Sequence, residues 1–452
     1  MSALGARVPD LLRKRAFRRY WTAQSISLIG DQISLIAVPL VAVLVLEADA
    51  TEMGLLKTAE LLPALLLSLP VGAWIDGRSG RRRIMIAADL LRAVLVLSLP
   101  VAYTLDALTL TQLYAVAFAV GAFTVLFDIC NATLFVALVP KDRFVAGNSL
   151  LNGSRAMAFV SGPGVGGLLV QLLAAPLALL ADALTFLSSA ALLARIAPAE
   201  PPPAPPAKGY VTEGLRWALR HPAMRAMFAA SGTVQFFNLM FHTLFVLYAT
   251  TELRLGAGAL GVVLGSGAVG GLIGASVAGR VVSGIGIGPT ILLGFAGFTA
   301  PLLLVPLAGG TDPLVIALLL LAEFLSSVGL MLLDISSGSL IAALTPDALR
   351  SRLTGASRAV NYGFRPLGAL AGGALGTVLG LRPTLWIATA GATLCFVWLL
   401  PSPVPRLRAL PEAAVNQEPR PGPDPVPRPD SPGDSVGPVR RINQGARRKQ
   451  DM

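Results

Sequence analysis

Gly72-Ala73-Trp74-Ile75-Asp76-Gly77-Arg78-Ser79-Gly80-Arg81-Arg82-Arg83 sets one acid and four arginines between two long apolar runs. Charge at that density is expelled from hydrocarbon, whereas an apolar run of about 20 residues is long enough to cross it as a helix. The stretch therefore reads as a tight loop at a membrane face, and its glycines permit the close turn.

The rest of the chain agrees with that reading. Of its 452 residues 54% are hydrophobic and 13% charged, with a mean hydropathy of +0.70. This leaves too little polar surface to coat soluble domains. A net charge of +11 would suit nucleic acid, but the arginines fall in short connectors and the C-terminal stretch, so no nucleic-acid partner is expected. Cys130 and Cys395 lie in separate apolar runs, which offers neither a disulfide framework nor a metal-ligand spacing. The basic start Arg13-Lys14-Arg15 leads into a run too long for a signal peptide, so it reads as a first membrane helix.

Twelve apolar runs fit as crossings, at 20–46, 52–75, 84–105, 111–138, 148–174, 176–196, 224–250, 258–282, 289–309, 313–343, 350–379 and 383–400. Basic residues collect in alternate connectors: Arg13 to Arg19, Arg78 to Arg83, Lys141 and Arg143, Arg216 to Arg225, Arg280, and Arg350 with Arg352. Because short cytoplasmic loops retain Lys and Arg, both termini are expected in the cytoplasm, in a multi-pass protein of the inner (cytoplasmic) membrane. The expected organisation is an N-terminus (1–19), a six-helix bundle (20–196), a linker (197–223), a second bundle (224–400) and a tail (401–452). The linker opens on a proline-rich spacer at Pro201 to Pro206 and continues with an amphipathic helix expected to lie flat on the inner membrane face. The tail, rich in Pro, Arg, Asp and Gly, is expected to be disordered.

The halves repeat one another. Asp128-Ile129, Leu134 and Pro140 match Asp334-Ile335, Leu340 and Pro346, and Ser154-Arg155-Ala156 with Pro163 match Ser357-Arg358-Ala359 with Pro366. Gly72-Ala73 and Gly77-Arg78 match Gly274-Ala275 and Gly279-Arg280, which puts Ala278 where the first half has Asp76. An all-α fold of twelve transmembrane helices in two pseudo-symmetric six-helix bundles follows, of the kind that carries a substrate site near the bilayer midplane between its halves.

Over residues 10 to 400 the chain resembles the major facilitator superfamily, and within it the bacterial drug, macrolide and siderophore exporters. The opening stretch is similar to the family's Gly-x-x-x-Asp-Arg-x-Gly-Arg-Arg loop, with Gly77 in place of the basic residue after the aspartate. Gly162-Pro163-Gly164-Val165-Gly166-Gly167 resembles the fifth-helix motif frequent in antiporters, although Ala158 replaces a glycine expected before it. The resemblance implies that Gly72, Asp76, Arg78, Gly80, Arg81 and Arg82 form a latch holding the outward-facing state, against the plainer reading that they only orient the chain. Gly162, Pro163, Gly166 and Gly167 would belong to the same conformational machinery.

Asp128 and Arg155 reach similar depth and can pair, as can Asp334 and Arg358; an architectural role is favoured over proton coupling, with Arg92 to Asp89 or Asp128 as a rival pairing. Acids without a partner inside the membrane are better functional candidates, since a midplane charge is costly unless it lines a wet path. Asp31, beside Gln32, and Glu323 are expected in the central cavity and Glu60 near the outer mouth, with Asp31 or Glu323 carrying a proton in one conformation and releasing it in the other. His242, near Asn238 and Gln235, can change charge near neutral pH and so sense protons, but a packing or substrate-contact role is favoured; Asp182, Asn131 and Asn361 are candidate polar groups of the cavity. Gly265-Ser266-Gly267-Ala268-Val269-Gly270 satisfies a dinucleotide pattern but sits in an apolar helix, so it reads as helix packing and no cofactor is expected.

The expected function is secondary active, proton-coupled efflux of an amphipathic drug or secondary metabolite by a monomer whose partners are substrate, protons and the lipid bilayer. Uptake or lipid movement on the same fold is the alternative. A membrane-embedded enzyme is disfavoured because no nucleophile, base or metal set is evident among two histidines and two cysteines.

Overall fold

The computed structural model describes residues 10–197, 210–309, 313–346 and 349–409. Helix occupies every segment read above as a crossing: α1 Arg15–Leu44, α2 Ala50–Asp76, α3 Arg81–Thr104, α4 Leu110–Leu138, α5 Phe144–Leu173 and α6 Ala175–Ala194, then α7 Pro222–Thr251, α8 Ala257–Ile285, α9 beginning at Ile287–Thr299, α10 Pro313–Leu344, α11 Arg350–Leu379 and α12 beginning at Leu381–Ala392. Among the described residues, nine stretches are long and apolar enough to cross a membrane. The ninth helix tightens through Ala300–Leu303 around Pro301 before resuming at Leu304–Leu307, and the twelfth resumes at Cys395–Leu399.

Start signals are local. Asp49 accepts the Glu52 N–H at 2.8 Å while the Glu52 carboxylate accepts the Asp49 N–H at 2.8 Å, a capping box at the head of α2. Gly80 holds a left-handed conformation (φ 82°) at the head of α3, which only glycine adopts without strain, so the charged loop turns where the sequence placed it.

The two halves use the same internal packing. In the first, α1 lies against α5 and α6, and α4 lies against α2 and α3; in the second, α7 lies against α11 and α12, and α10 against α8 and α9. The halves meet along α2 with α11 and α5 with α8. A Cβ added at Gly54 would lie 2.8 Å from the Ala369 carbonyl oxygen and 3.0 Å from the Gly373 Cα; one added at Gly261 would lie 2.5 Å from the Pro163 carbonyl oxygen and 3.0 Å from the Gly167 Cα. The two contacts are the same contact made twice, and they correct the register of the repeat. Gly167 corresponds to Gly373 and Pro163 to Ala369, so the match of Ser154-Arg155-Ala156 to Ser357-Arg358-Ala359 is shifted by almost one turn of an unbroken helix. Arg155 then corresponds to Asn361, and Asp76 to Ser283 rather than Ala278, whereas Asp128 does correspond to Asp334.

One apolar cluster runs continuously through both halves at the end where these glycines meet, joining Leu40 and Val41 to Phe241 and Leu244. At the opposite end the cores separate, Phe17, Met85 and Leu134 in the first half and Ile291, Phe295 and Leu399 in the second. The molecule is therefore sealed at one end and parted at the other. The parted end carries the basic connectors: Arg82 donates to the carbonyls of Ala194, at 3.0 Å, and Ile196, and Arg143 meets Asp10 at 3.6 Å.

One expectation is refined and one corrected. The linker helix Tyr210–Arg220 is docked on the second half, because Ala218 is fully buried in a cluster with Leu353, Ala356 and Phe228, while Leu219 stays exposed. The chain beyond 401 is ordered as far as 409: Val404 is fully buried and the Gly288 N–H donates to the Leu407 carbonyl at 2.8 Å, so the apolar residues Val404 and Leu407 pin it to α9. The proline-rich spacer and the rest of the tail lie outside the described residues.

Candidate functional site

Between the parted halves lies a cavity of about 1920 Å3 that runs from mid-helix residues of α1, Asp31 and Ser34, to the first turns of α5 at Phe144 and Asn148. Its first-half wall carries Asp31, Asp128, Arg155 and Asp182; its second-half wall carries Gln235, Asp334, Asn361 and Arg365.

The acidic wall is built in two layers. Asp31 is exposed to the cavity although it sits midway along a 30-residue helix, and no basic group lies within ion-pair distance of it among the described residues. Behind it, Asp182 is buried and accepts hydrogen bonds from the Ser34 hydroxyl and, at 3.3 Å, from Thr185. Deeper still, Arg92 donates to Asp89, both fully buried, with the guanidinium 4.5 Å over the Phe127 ring and 4.4 Å over Phe186. Asp31 thus faces the cavity beside the acids Asp128 and Asp182, while Arg92 is engaged by Asp89. Below them, Tyr20 donates to Asn131 at 2.7 Å and Asn131 to Gln24 at 3.3 Å, which ties α1 to α4.

The second-half wall is polar around Arg365. The end of the Gln235 amide meets Arg365 Nε at 3.0 Å and Nη2 at 2.7 Å, which turns the amide oxygen toward the guanidinium. The guanidinium lies 5.3 Å from the Tyr362 ring. Asn361 stands 2.9 Å from the same Gln235 atom and 3.3 Å from the Ser231 hydroxyl.

Of the residues expected to face the cavity, Asp31, Glu60 and Asn361 line it, as do Asp128, Arg155 and Asp334. Gln32, Asn238, His242 and Glu323 are not among its lining residues. Successive helix residues point about 100° apart, so Asp31 can face the cavity only if Gln32 turns into α5, where a Cβ at Gly162 would meet the Gln32 side chain at 2.3 Å. Asn238 is buried, His242 packs edge-on to Phe241, and Glu323 lies against α8 at Gly267 with one carboxyl oxygen lacking a partner. Glu60 is not an unpaired acid: Lys57, one turn earlier on α2, meets it at 2.9 Å.

The motif at Gly162 to Gly167 has two faces. Gly162 and Gly166 press on Gln32 and Ile33 of α1, while Pro163 and Gly167 press on Gly261 of α8, so one helix joins its own half to the other. In the charged loop, Arg78 stacks 4.1 Å over Trp74 and Arg82 satisfies carbonyls at the end of α6, where a cation also suits the helix dipole. The side chains of Asp76 and Arg358 lie outside the described residues, and with them the latch aspartate and the second expected ion pair. Sequence reading passed over Arg365 and Ser34, although an arginine deep in α11 is itself a signal.

Comparison with known proteins agrees with this geometry. The Major Facilitator Superfamily model matches residues 20–329. The chain is 28% identical over 413 residues to the multidrug efflux pump Tap of Mycobacterium bovis, covering 86% of this chain and 94% of that one. It is 32% identical over 153 residues to the multidrug efflux pump Tap of Mycolicibacterium fortuitum, spanning 36% of that relative. A bacterial homologue of the iron transporter ferroportin, solved in an inward-facing state, superposes with a TM-score of 0.71 at 18% identity, covering 86% of this chain and 98% of that one.

Proposed function

Since the chain belongs to the major facilitator superfamily, we propose that this multi-pass membrane transporter exports an amphipathic organic compound in exchange for protons, by alternating access. The observation that carries the reading is Asp31, a carboxyl without an ion-pair partner among the described residues, standing in the cavity in front of buried Asp182. A lone carboxylate at that depth is costly and is tolerated where a proton or a cation comes to it. A positively charged substrate group and a proton would then compete for one site, which couples their opposite movements. The printed name of the relatives, multidrug efflux pump, supports export of a drug-like small molecule over uptake.

The positive-inside rule supports a cytoplasmic position for the basic connectors and both termini in the inner membrane. On that orientation the structure is the inward-open member of the cycle, its halves 20–196 and 224–400 rocking about a monomer's central cavity. The Asp76 loop would latch the opposite, outward-open state, and Asp128 would pair with Arg155 at the inner mouth. The test is reconstitution of the full chain in liposomes with an imposed pH gradient and a cationic rhodamine ester as probe. Gradient-dependent dye movement against the proton flow is expected; dye movement that a protonophore leaves unchanged would sink the coupling.

A further inference from the structure

The second-half wall holds one cation, Arg365, and one acid, Asp334. Arg365 lines the cavity from α11, and among the described residues no carboxylate lies within ion-pair distance of it. Gln235 occupies one edge of its guanidinium, on Nε and Nη2. A guanidinium has five N–H donors, so this anchoring leaves three, including the pair at the Nη1 and Nη2 end that matches a carboxylate in bidentate fashion. The Tyr362 ring beside it limits the rotation of the side chain.

Holding an unneutralised arginine inside the membrane thickness is costly, and a well-anchored one facing a wet cavity is placed to meet a ligand. The opposite wall has acids in excess, Asp31, Asp128 and Asp182 against Arg155. One cavity therefore carries a first-half wall with acids in excess and a second-half wall where Arg365 and Asp334 stand apart, beyond ion-pair distance, a layout that a purely cationic cargo uses only in part.

We propose that Arg365, presented by Gln235, is an anion subsite, and that the preferred substrates are amphoteric organic molecules carrying a carboxylate or similar oxyanion in addition to a cationic group. This deepens the export reading and rests on it for the direction of transport only. A molecule bridging both walls touches both halves at once, so its binding energy is available to draw them together. Arg365 is on this view a specificity-determining residue, distinct from the proton-carrying side.

Rhodamine B, which has a free carboxylate and a cationic xanthene, and its ethyl ester, which has only the cation, form a matched pair of probes. Binding of each to the purified full chain is measured by fluorescence polarisation, and pH-gradient-driven movement of each is measured in liposomes. The wild-type protein should prefer the acid by on the order of tenfold, the scale of one charge-assisted contact. Arg365→Gln should bring the ratio of acid to ester below about twofold, and Arg365→Lys should restore part of it because it keeps the charge and loses the fork. Ester binding by the Gln variant reports that this protein is folded. Equal binding of the two dyes by the wild type, binding of neither, or an unchanged ratio in Arg365→Gln would overturn the subsite. If the ratio behaves as expected but neither dye moves with the gradient, the subsite stands and the export reading fails.

Discussion

Along α3 the first half buries Asp89 against Arg92; counted from the turn glycines Gly80 and Gly286, the same two places in α9 hold buried Phe295 and Phe298. The contrast extends to the neighbouring helices. Asp31 of α1 corresponds to Asn238 of α7, and Asp182 of α6 to Ala388 of α12. Even the packing is inverted, since Gly30 accommodates Thr185 in the first half whereas Gly391 accommodates the Phe237 ring in the second. One scaffold thus tolerates either an ion pair or aromatic rings at the same depth. Buried pairs are often no more stabilising than apolar groups of similar volume, so the scaffold does not need the charges of the first half.

The strongest way to break this comparison is to remove one partner of the pair. Arg92→Leu should destabilise the protein by about 3–5 kcal/mol, because it leaves Asp89 buried and uncompensated, while Asp89→Leu with Arg92→Leu should recover most of that loss. Thermal unfolding in detergent measures both. If the double variant is folded and also exports normally, the pair is architectural after all.

The glycine contacts are where the halves agree, so the same change in either should have the same result. Gly373→Val and Gly167→Val each overpack only the sealed state, by about 1–3 kcal/mol. That shifts the conformational balance by roughly 5- to 150-fold toward the state parted at that end. Spin labels at Asp106 and Arg254, on opposite halves, should report a longer distance in both variants, and a change in only one would show the contacts to be unequal.

Asp31→Asn gives the first half the residue type of the second. A pH gradient of one unit is worth about 1.4 kcal/mol, and the variant should lose the corresponding tenfold stimulation of dye export. Retained stimulation would move the proton site elsewhere, with Asp182 and Glu323 as the buried acids that have no ion-pair partner among the described residues. The smallest effect separates the charged loop from its counterpart: Asp76→Asn should slow transport roughly fivefold, as for a contact worth about 1 kcal/mol, and Ser283→Ala by less than twofold.

The fold was legible because hydropathy and loop charge are properties of whole segments, and helix stands at each apolar run, interrupted only in α9 and α12. Register was not, because small residues and short tripeptides recur by chance along apolar helices; Ser-Arg-Ala was one such recurrence, and only the glycine contacts fixed the alignment. The acids were readable as candidates, but which face of a helix they occupy depends on its neighbours. Glu323 therefore turned out to lie against α8, and Glu60 to be paired by Lys57. Arg365 escaped because attention to acids left the second half looking apolar, and its anchoring by Gln235 joins two helices far apart in sequence.

The seal at the end away from the arginine-rich loops is made of glycine backbones and the hydroxyls of Thr51 and Thr377, 2.7 Å apart, and among the described residues no ion pair joins the halves there. Contacts of that kind are indifferent to ionic strength, whereas attraction between exposed charges fades once the Debye length falls below their separation. An outer gate so built would close equally well in dilute and in briny surroundings. The salt-sensitive part of the molecule, its arginine loops, would face the cytosol, where the ion content is regulated.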